Sequence, residues 1–349
     1  MEYLFRANLI LEPTSTIKRL KSAPAAQLLV AGTSSYYGFA TLKIRSRNEA
    51  ELGCWFNDNA ESLISTAVQA ASTFDASIPP KLLRLLFHDC FVDGCDASIL
   101  LDSTPTETAE KEDPANSNLQ GLGVITGIKR TVELACAGVV SCADIIALAA
   151  RDAVVAMGGP KVEIPTGRLD GLRSSAVNVR PSLPDTPFGV EQLLEFFGRK
   201  GLDHEDLAAL SGAHTVGVAH CTAFNDRFTF GGNGTVISQD PTMDPAYAAQ
   251  LVQRCPASAN TNTLIVNDLK TPTVFDNAYY EDVQAGHGLF HSDAVLLSDS
   301  RTAALLRSFG ASQDAFFAAW AKSFTKLSLV GVKTSPSQGQ VRKKCNLRN

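Results

Sequence analysis

A chain of 349 residues with 45% apolar content has material for one large core or two ordinary ones, and its formal net charge of -5 argues against the basic face of a nucleic-acid binder. No apolar run reaches the roughly 20 residues of a bilayer-spanning helix. Eight cysteines, at 54, 90, 95, 136, 142, 221, 255 and 345, form no C-x-x-C pair, so a zinc ribbon is disfavoured; disulfides in an oxidising compartment are preferred over eight free, buried thiols.

Residues 1–50 lack steady periodicity and read as an atypical leader or poorly ordered arm. Glu2 and Arg6 break the first apolar run and Pro13 follows it. Lys18, Arg19 and Lys21 precede APAAQLLVAG, a candidate targeting segment with a late start and a short core. Residues 51–349 read as one domain with two helical halves. Helical spacing begins at Asn57 and recurs in NAESLISTAVQAAS, LLRLLF, VITGIKRTVELA, CADIIALAARDAVVAM, VEQLLEFFGRKG, HEDLAALSGAH and QDAFFAAWAKSFTKL. Gly158-Gly159-Pro160 stops the fourth of these. Few segments alternate with period two, so the fold class is mostly α, with loops such as PTGRLDG and SLPDTPFG joining the helices.

The segment LLRLLFHDCFVDGCDAS, Leu82 to Ser98, is the densest in chemistry. Arg84 and His88 lie one helical turn apart on one face. A neutral imidazole takes a proton, and a neighbouring guanidinium both lowers its pKa and stabilises developing negative charge. By spacing alone, a buried histidine beside a solvated arginine competes with this reading. Asp89 faces away; with Asp93, Asp96 and Ser98 it forms the hard-oxygen set that calcium prefers, without the EF-hand order. Cys90 and Cys95 flank FVDG and are placed to close a small ring around it; a plain acidic turn is the alternative. Further on, His214 in EDLAALSGAHTVG is expected on an apolar helix, as a metal or cofactor ligand or as a satisfied core residue. Asn233-Gly234-Thr235 is a glycosylation sequon in a Gly-rich loop. NDLKTPTVFDNAYY gathers Asp268, Thr271 and Asp276, either a second ion loop or ordinary turn chemistry.

Taken together, LLRLLFHDCFVDGCDASILL and ALSGAHTVG, supported by PTGRLDG, TPTVFDNAYY and QGQVRKKC, make the chain from about Leu52 to Asn349 resemble the secretory plant (class III) haem peroxidases. The resemblance implies a single haem peroxidase domain whose distal and proximal helical halves enclose the haem. Its reaction is reduction of hydrogen peroxide with one-electron oxidation of small phenolic donors. It implies haem b, one per chain, with iron on His214, and two calcium ions. Arg84 and His88 then form the distal side, Phe87 walls the pocket, Asn116 accepts from His88, and Glu110 ties this network toward the ion. Asp89, Asp96 and Ser98, with the carbonyls of Val92 and Gly94, match distal calcium ligands. Thr215, Asp268, Thr271 and Asp276, with the carbonyl of Val274, match the proximal set. Asp293 matches the carboxylate that accepts the other N–H of His214, and Pro165 the residue at the exposed haem edge where donors bind. The family pairs Cys54 with Cys136, Cys90 with Cys95, Cys142 with Cys345, and Cys221 with Cys255.

The resemblance further implies a monomer without nucleic-acid partner or membrane span, secreted to the cell wall or outside and serving the response to oxidative stress. Departures are the run WFNDNAE after Cys54, Leu86 where a histidine is common, Ala223 where some members carry an aromatic, and Asn267 where a bulky apolar residue packs against the proximal histidine. Two other readings compete. One is a catalytically idle, wall-bound binding or structural protein, which a lesion among Arg84, His88, Asn116, His214 or Asp293 would favour. The other is a metal-dependent hydrolase using His88 and Asp89, which leaves His214 and the cysteine pattern unexplained.

Overall fold

The computed structural model describes Cys54 and residues 59–257 and 263–349; the leader expected over residues 1–50 lies outside the described residues. Eleven α-helices carry the described chain: α1 (Asn59–Phe74), α2 (Ile78–Phe91), α3 (Leu122–Ala135), α4 (Cys142–Ala156), α5 (Val190–Arg199), α6 (His204–Ser211), α7 (Pro245–Arg254), α8 (Ala278–Gln284), α9 (His291–Ala294), α10 (Ser300–Ala311) and α11 (Gln313–Leu327). Strand is confined to three two-stranded antiparallel ribbons. β1 (Asp170–Gly171) pairs with β6 (Gly339–Gln340), β2 (Val218–His220) with β5 (Leu264–Val266), and β3 (Phe228–Phe230) with β4 (Val236–Gln239).

Helix α4 organises the distal half. Every residue from Cys142 to Val154 is buried, as expected of a helix apolar all round. The Ser141 side chain caps its start by accepting from the Asp144 N–H. Its end falls at Gly158, whose φ of +92° is cheap only for glycine. Helices α1, α2 and α3 pack on it. Pro79 and Pro80 open α2, where the missing N–H groups have no helical partner to lose. In the proximal half α6, α8, α10 and α11 pack together. One apolar cluster runs through both halves, and a second forms under the ribbons from Phe224, Phe228, Tyr247, Leu251, Ile265 and Phe290.

Disulfides join Cys54 to Cys136, Cys90 to Cys95, Cys142 to Cys345, and Cys221 to Cys255, the pairs the resemblance implied. The third spans 203 residues and ties the buried start of α4 to the C-terminal segment. Replacing both of its cysteines by serine should lower the unfolding free energy by about 2–5 kcal/mol. A urea midpoint left unmoved would show that this bridge carries no stability.

Candidate active site

The inward face of α2 carries Arg84 and His88. His88 is buried, and its Nδ1 lies 2.6 Å from Asn116 Oδ1. The amide end of Asn116 donates to the Glu110 carbonyl at 2.8 Å, which turns the oxygen toward the imidazole. The Nδ1 of His88 therefore carries the hydrogen, and Nε2 keeps a free lone pair. Asn116 is held by a short 3-10 turn, Pro114–Asn116, whose first N–H groups are capped by Asp113. Burial, then the charge on Arg84, lowers the His88 pKa to about 3, against the opposing pull of the Asn116 bond. Arg84 is exposed by surface area, yet burial lowers its pKa too. Its side chain thus lies in a cleft that solvent still enters, with Nη1 donating to the Asn118 carbonyl at 3.3 Å. Phe87 packs edge-on to His88 at 5.5 Å and against Phe91 at 4.6 Å.

The other face of α2 turns Asp89 into the loop closed by Cys90–Cys95. The Asp89 carboxylate accepts from the Ala97 N–H at 2.9 Å, with Ala97 in the left-handed region at φ 57°. Asp96 lies in the same cluster, and its Oδ1 accepts from the Ser98 N–H at 3.0 Å. Burial, then the Asp96 charge, pushes the Asp89 pKa well above the carboxylate range. Burial raises Asp96 to about 6. Glu110 is raised to about 9 by burial and then by Asp89. Ser98 Oγ and Glu110 Oε2 are buried and lack a hydrogen-bond partner. Crowded carboxyls with orphaned oxygens at one spot fit a hard cation. Among the described residues no three His, Cys, Asp or Glu side chains converge on a metal position; the set here leans on a hydroxyl and main-chain oxygens instead. Of the two carbonyls expected to join it, that of Val92 accepts from Lys200 Nζ at 3.0 Å and that of Gly94 from the Asp96 N–H at 2.7 Å.

His214 does not extend α6 as the sequence predicts. The helix stops at Ser211, and His214 sits on the 3-10 turn Gly212–Thr215. Gly212 allows this, because a Cβ there would lie 2.6 Å from the Phe316 ring. Nδ1 of His214 is 2.7 Å from Asp293 Oδ1, while 37% of the side chain stays accessible. Asp293 is itself fixed: Oδ2 accepts from the Phe290 N–H at 3.0 Å, and Oδ1 also accepts from the Tyr279 hydroxyl at 2.9 Å. The Phe290 and Tyr279 rings pack edge-on to the imidazole at 5.0 and 6.0 Å. Fully buried Arg227 donates to the carbonyls of Gly288, Leu289 and Phe290 and pairs with Asp240 at 2.8 Å, so it holds the segment that delivers Phe290 and Asp293. Sequence reasoning missed Arg227, for which no local signal exists, and Tyr279, which stands in the motif TPTVFDNAYY without an assigned role.

The second hard-oxygen set does assemble. Thr215 Oγ1 donates to Asp268 Oδ2 at 2.9 Å, and Thr271 Oγ1 to Asp276 Oδ1 at 3.1 Å. Burial raises the Asp268 pKa. The Val274 N–H turns back onto the Thr271 carbonyl at 2.9 Å, which closes the loop. Asn267 donates through Nδ2 to the Val216 carbonyl at 3.2 Å, and its buried Oδ1 has no partner.

Pro165 lies half-buried at the start of PTGRLDG. Its carbonyl accepts from Arg168, which binds Asp144 and the Ser328 carbonyl. The segment continues to Gly171, whose N–H donates to the Asp96 carbonyl. The C-terminal end of PTGRLDG thus adjoins the Asp96 loop. The loop SLPDTPFG reaches the proximal residues, since the Thr186 carbonyl accepts from the N–H of Ser292, next to Asp293, at 2.9 Å. Proline and glycine mark both segments as loops, but not the side on which each passes.

Residues 64–312 match the family model described as Peroxidase. Peroxidase 46 of Arabidopsis thaliana is 47% identical over 290 residues, covering 83% of this chain and 88% of that protein. Peroxidase 18 of the same plant is 46% identical over 291 residues, covering 83% and 87%. Peroxidase 5 of Vitis vinifera is 43% identical over 292 residues, covering 83% and 88%.

Proposed function

The chain belongs to the peroxidase family and is a haem peroxidase, and from that premise we propose that His88, Arg84 and Asn116 handle the peroxide while His214 and Asp293 hold the cofactor. One observation carries the reading. Both histidines have Nδ1 committed, at 2.6 Å to Asn116 and 2.7 Å to Asp293, so each offers only Nε2 to the cleft. One Nε2 faces the substrate as a base; the other is free to bind iron.

Haem b, one per chain, supplies the iron and the redox capacity for breaking the O–O bond. His88 Nε2 takes the proton from one peroxide oxygen and returns it to the other as water departs. With a pKa of about 3 the imidazole is proton-free at neutral pH and parts readily with what it has taken. Arg84 stabilises the negative charge on the separating oxygens. Asn116 keeps the hydrogen on Nδ1 and so fixes which nitrogen does the work. Asp293 draws on the Nδ1–H of His214 and makes Nε2 the stronger ligand.

Two calcium ions fit the two oxygen clusters: Asp89, Asp96 and Ser98 with the carbonyls of Val92 and Gly94, and Thr215, Asp268, Thr271 and Asp276 with that of Val274. Glu110 bridges the first cluster to Asn116 and thereby to the base. Small phenolic donors would approach at the exposed haem edge beside Pro165. Four disulfides suit an oxidising compartment, which supports export, and a monomer suffices because every proposed role is filled within one chain. No helix among the described residues is long and apolar enough to cross a membrane.

The test is the visible spectrum of the purified, disulfide-intact protein. A Soret band should shift with one equivalent of hydrogen peroxide and return when a phenol is added. A band that ignores peroxide would refute the roles of His88 and Arg84. Absence of a haem band in folded protein would refute that of His214.

A further inference from the structure

Tyr279 is a buried titratable group that touches the proximal pair and has no part in the scheme above. We propose that Tyr279 is a redox-active residue that stores one oxidising equivalent from hydrogen peroxide when no donor is present. The proposal rests on the reading of His214 as the cofactor's ligand.

Loss of one electron makes a phenol strongly acidic, so a tyrosyl radical persists where a base stands ready for the hydroxyl proton. The described residues contain three tyrosines, and their partners differ. The Tyr247 hydroxyl has no hydrogen-bond partner. That of Tyr280 donates to the carbonyls of Ala208 and Ala209, at 3.0 and 3.2 Å, which are too weakly basic to take its proton. Tyr279 donates to a carboxylate, Asp293 Oδ1, at 2.9 Å. Trp320, the one tryptophan among the described residues, leaves its buried Nε1–H unpartnered. Among the described residues Tyr279 is therefore the tyrosine or tryptophan with both an oxidisable ring and a proton acceptor in place. Its ring lies 6.0 Å from that of His214, close to the source of the oxidant, and it is sealed from solvent.

The step balances. Reduction of hydrogen peroxide to two waters takes up two electrons and two protons, and phenolic donors normally supply the electrons singly. Without a donor, the haem would supply one of the two electrons and Tyr279 gives the other toward the His214 side. Its O–H bond breaks, the proton passes to Asp293 Oδ1, and a neutral phenoxyl radical remains beside a carboxylic acid. A later donor returns one electron, and the proton goes back from Asp293 to the phenolate oxygen. The Tyr280 ring, 5.0 Å away, extends a chain of aromatics toward Phe316, but that route offers no base and so no resting place for the radical.

The experiment uses the haem-loaded protein, mixed with one equivalent of hydrogen peroxide without donor, frozen within a second and read by electron paramagnetic resonance. A tyrosyl signal is expected, one that narrows when the protein carries ring-deuterated tyrosine. In Tyr279→Phe, which keeps the ring packing and removes the hydroxyl, the signal should fall at least tenfold. Tyr280→Phe and Tyr247→Phe, each made in a chain whose Tyr3, Tyr36 and Tyr37 are also changed to phenylalanine, should retain it, and they locate the radical by elimination should Tyr279→Phe fail to fold. An undiminished signal in Tyr279→Phe, or its loss in either other variant, would overturn the proposal. So would peroxide consumption with no protein radical, which leaves the roles of His88 and His214 intact. A Soret band indifferent to peroxide would overturn both.

Discussion

Replacing His88 by leucine should slow the reaction with hydrogen peroxide by about 10⁴-fold, the upper end of what a positioned acid–base group contributes. The same imidazole serves twice, first as base and then as acid, and the structure offers no deputy. Arg84 cannot accept a proton, and Asn116 bonds the opposite nitrogen. The Soret band should persist, because Asp293 and Tyr279, not His88, hold His214. Stopped-flow mixing reads the effect directly, and a loss of less than tenfold would remove His88 from the mechanism. In the unaltered protein the rate should hold from neutral pH down to about pH 3 and fall below it, since protonation occupies the Nε2 lone pair there. The same depression affects stability. Unfolded chains protonate histidine near pH 6.5, so this contribution to folding is complete above that pH and is lost as the pH falls toward 3.

Stripping divalent cations should lower the melting temperature by roughly 10–20 °C for the two sites together, and calcium should restore it. Each site filled at 100 times its Kd contributes about 2.7 kcal/mol, and for domains of this size 1 kcal/mol moves Tm by about 2–4 °C. The distal cluster adds a sharper signature. Burial and then the Asp89 charge raise the Glu110 pKa to about 9, so this carboxyl is protonated near neutral pH, and burial pushes Asp89 in the same direction. A divalent cation reverses that preference, so calcium binding at pH 7.5 should release at least one proton and tighten as pH rises. Titration calorimetry in two buffers of different ionisation enthalpy measures the release. Because Asp89 adjoins His88, peroxide reactivity should decline with chelation. Neither a Tm shift nor proton release on adding calcium would mean that the oxygen clusters are ordinary turns.

The elements that sequence displayed well are those whose burial is regular. CADIIALAARDAVVAM and QDAFFAAWAKSFTKL show their apolar spacing plainly and became α4 and α11. Helices α7, α8, α9 and α10 escaped, α8 and α9 because they are short, α7 and α10 because polar residues interrupt their apolar stripes. The position of His214 escaped for a different reason. The helical pattern continues through SGAH, and only the close approach of Gly212 to Tyr280 and Phe316 shows why the coil tightens there. Arg227 reads as surface from its polar neighbours; it is buried because three carbonyls and Asp240 satisfy it.

Gly94 and Gly331 meet backbone to backbone. A Cβ on Gly94 would lie 2.6 Å from the Gly331 carbonyl oxygen, and the Cys95 N–H donates to the Val330 carbonyl at 2.8 Å. Lys333 adds a bond to the Asp93 carbonyl at 2.9 Å. The loop closed by Cys90 and Cys95 is thus completed by residues 330–333, which a ribosome delivers long after α2. While the chain is being made, α2 can coil and Cys90 can find Cys95, but the wall behind Gly94 is missing. Biosynthesis thereby separates folding of the distal helix from completion of its ion loop, and the fixed base belongs to the finished protein alone. Each of the two glycines also constrains the other's drift: a side chain gained at either position needs a displaced backbone at the other, so the pair can only be kept, or remodelled together.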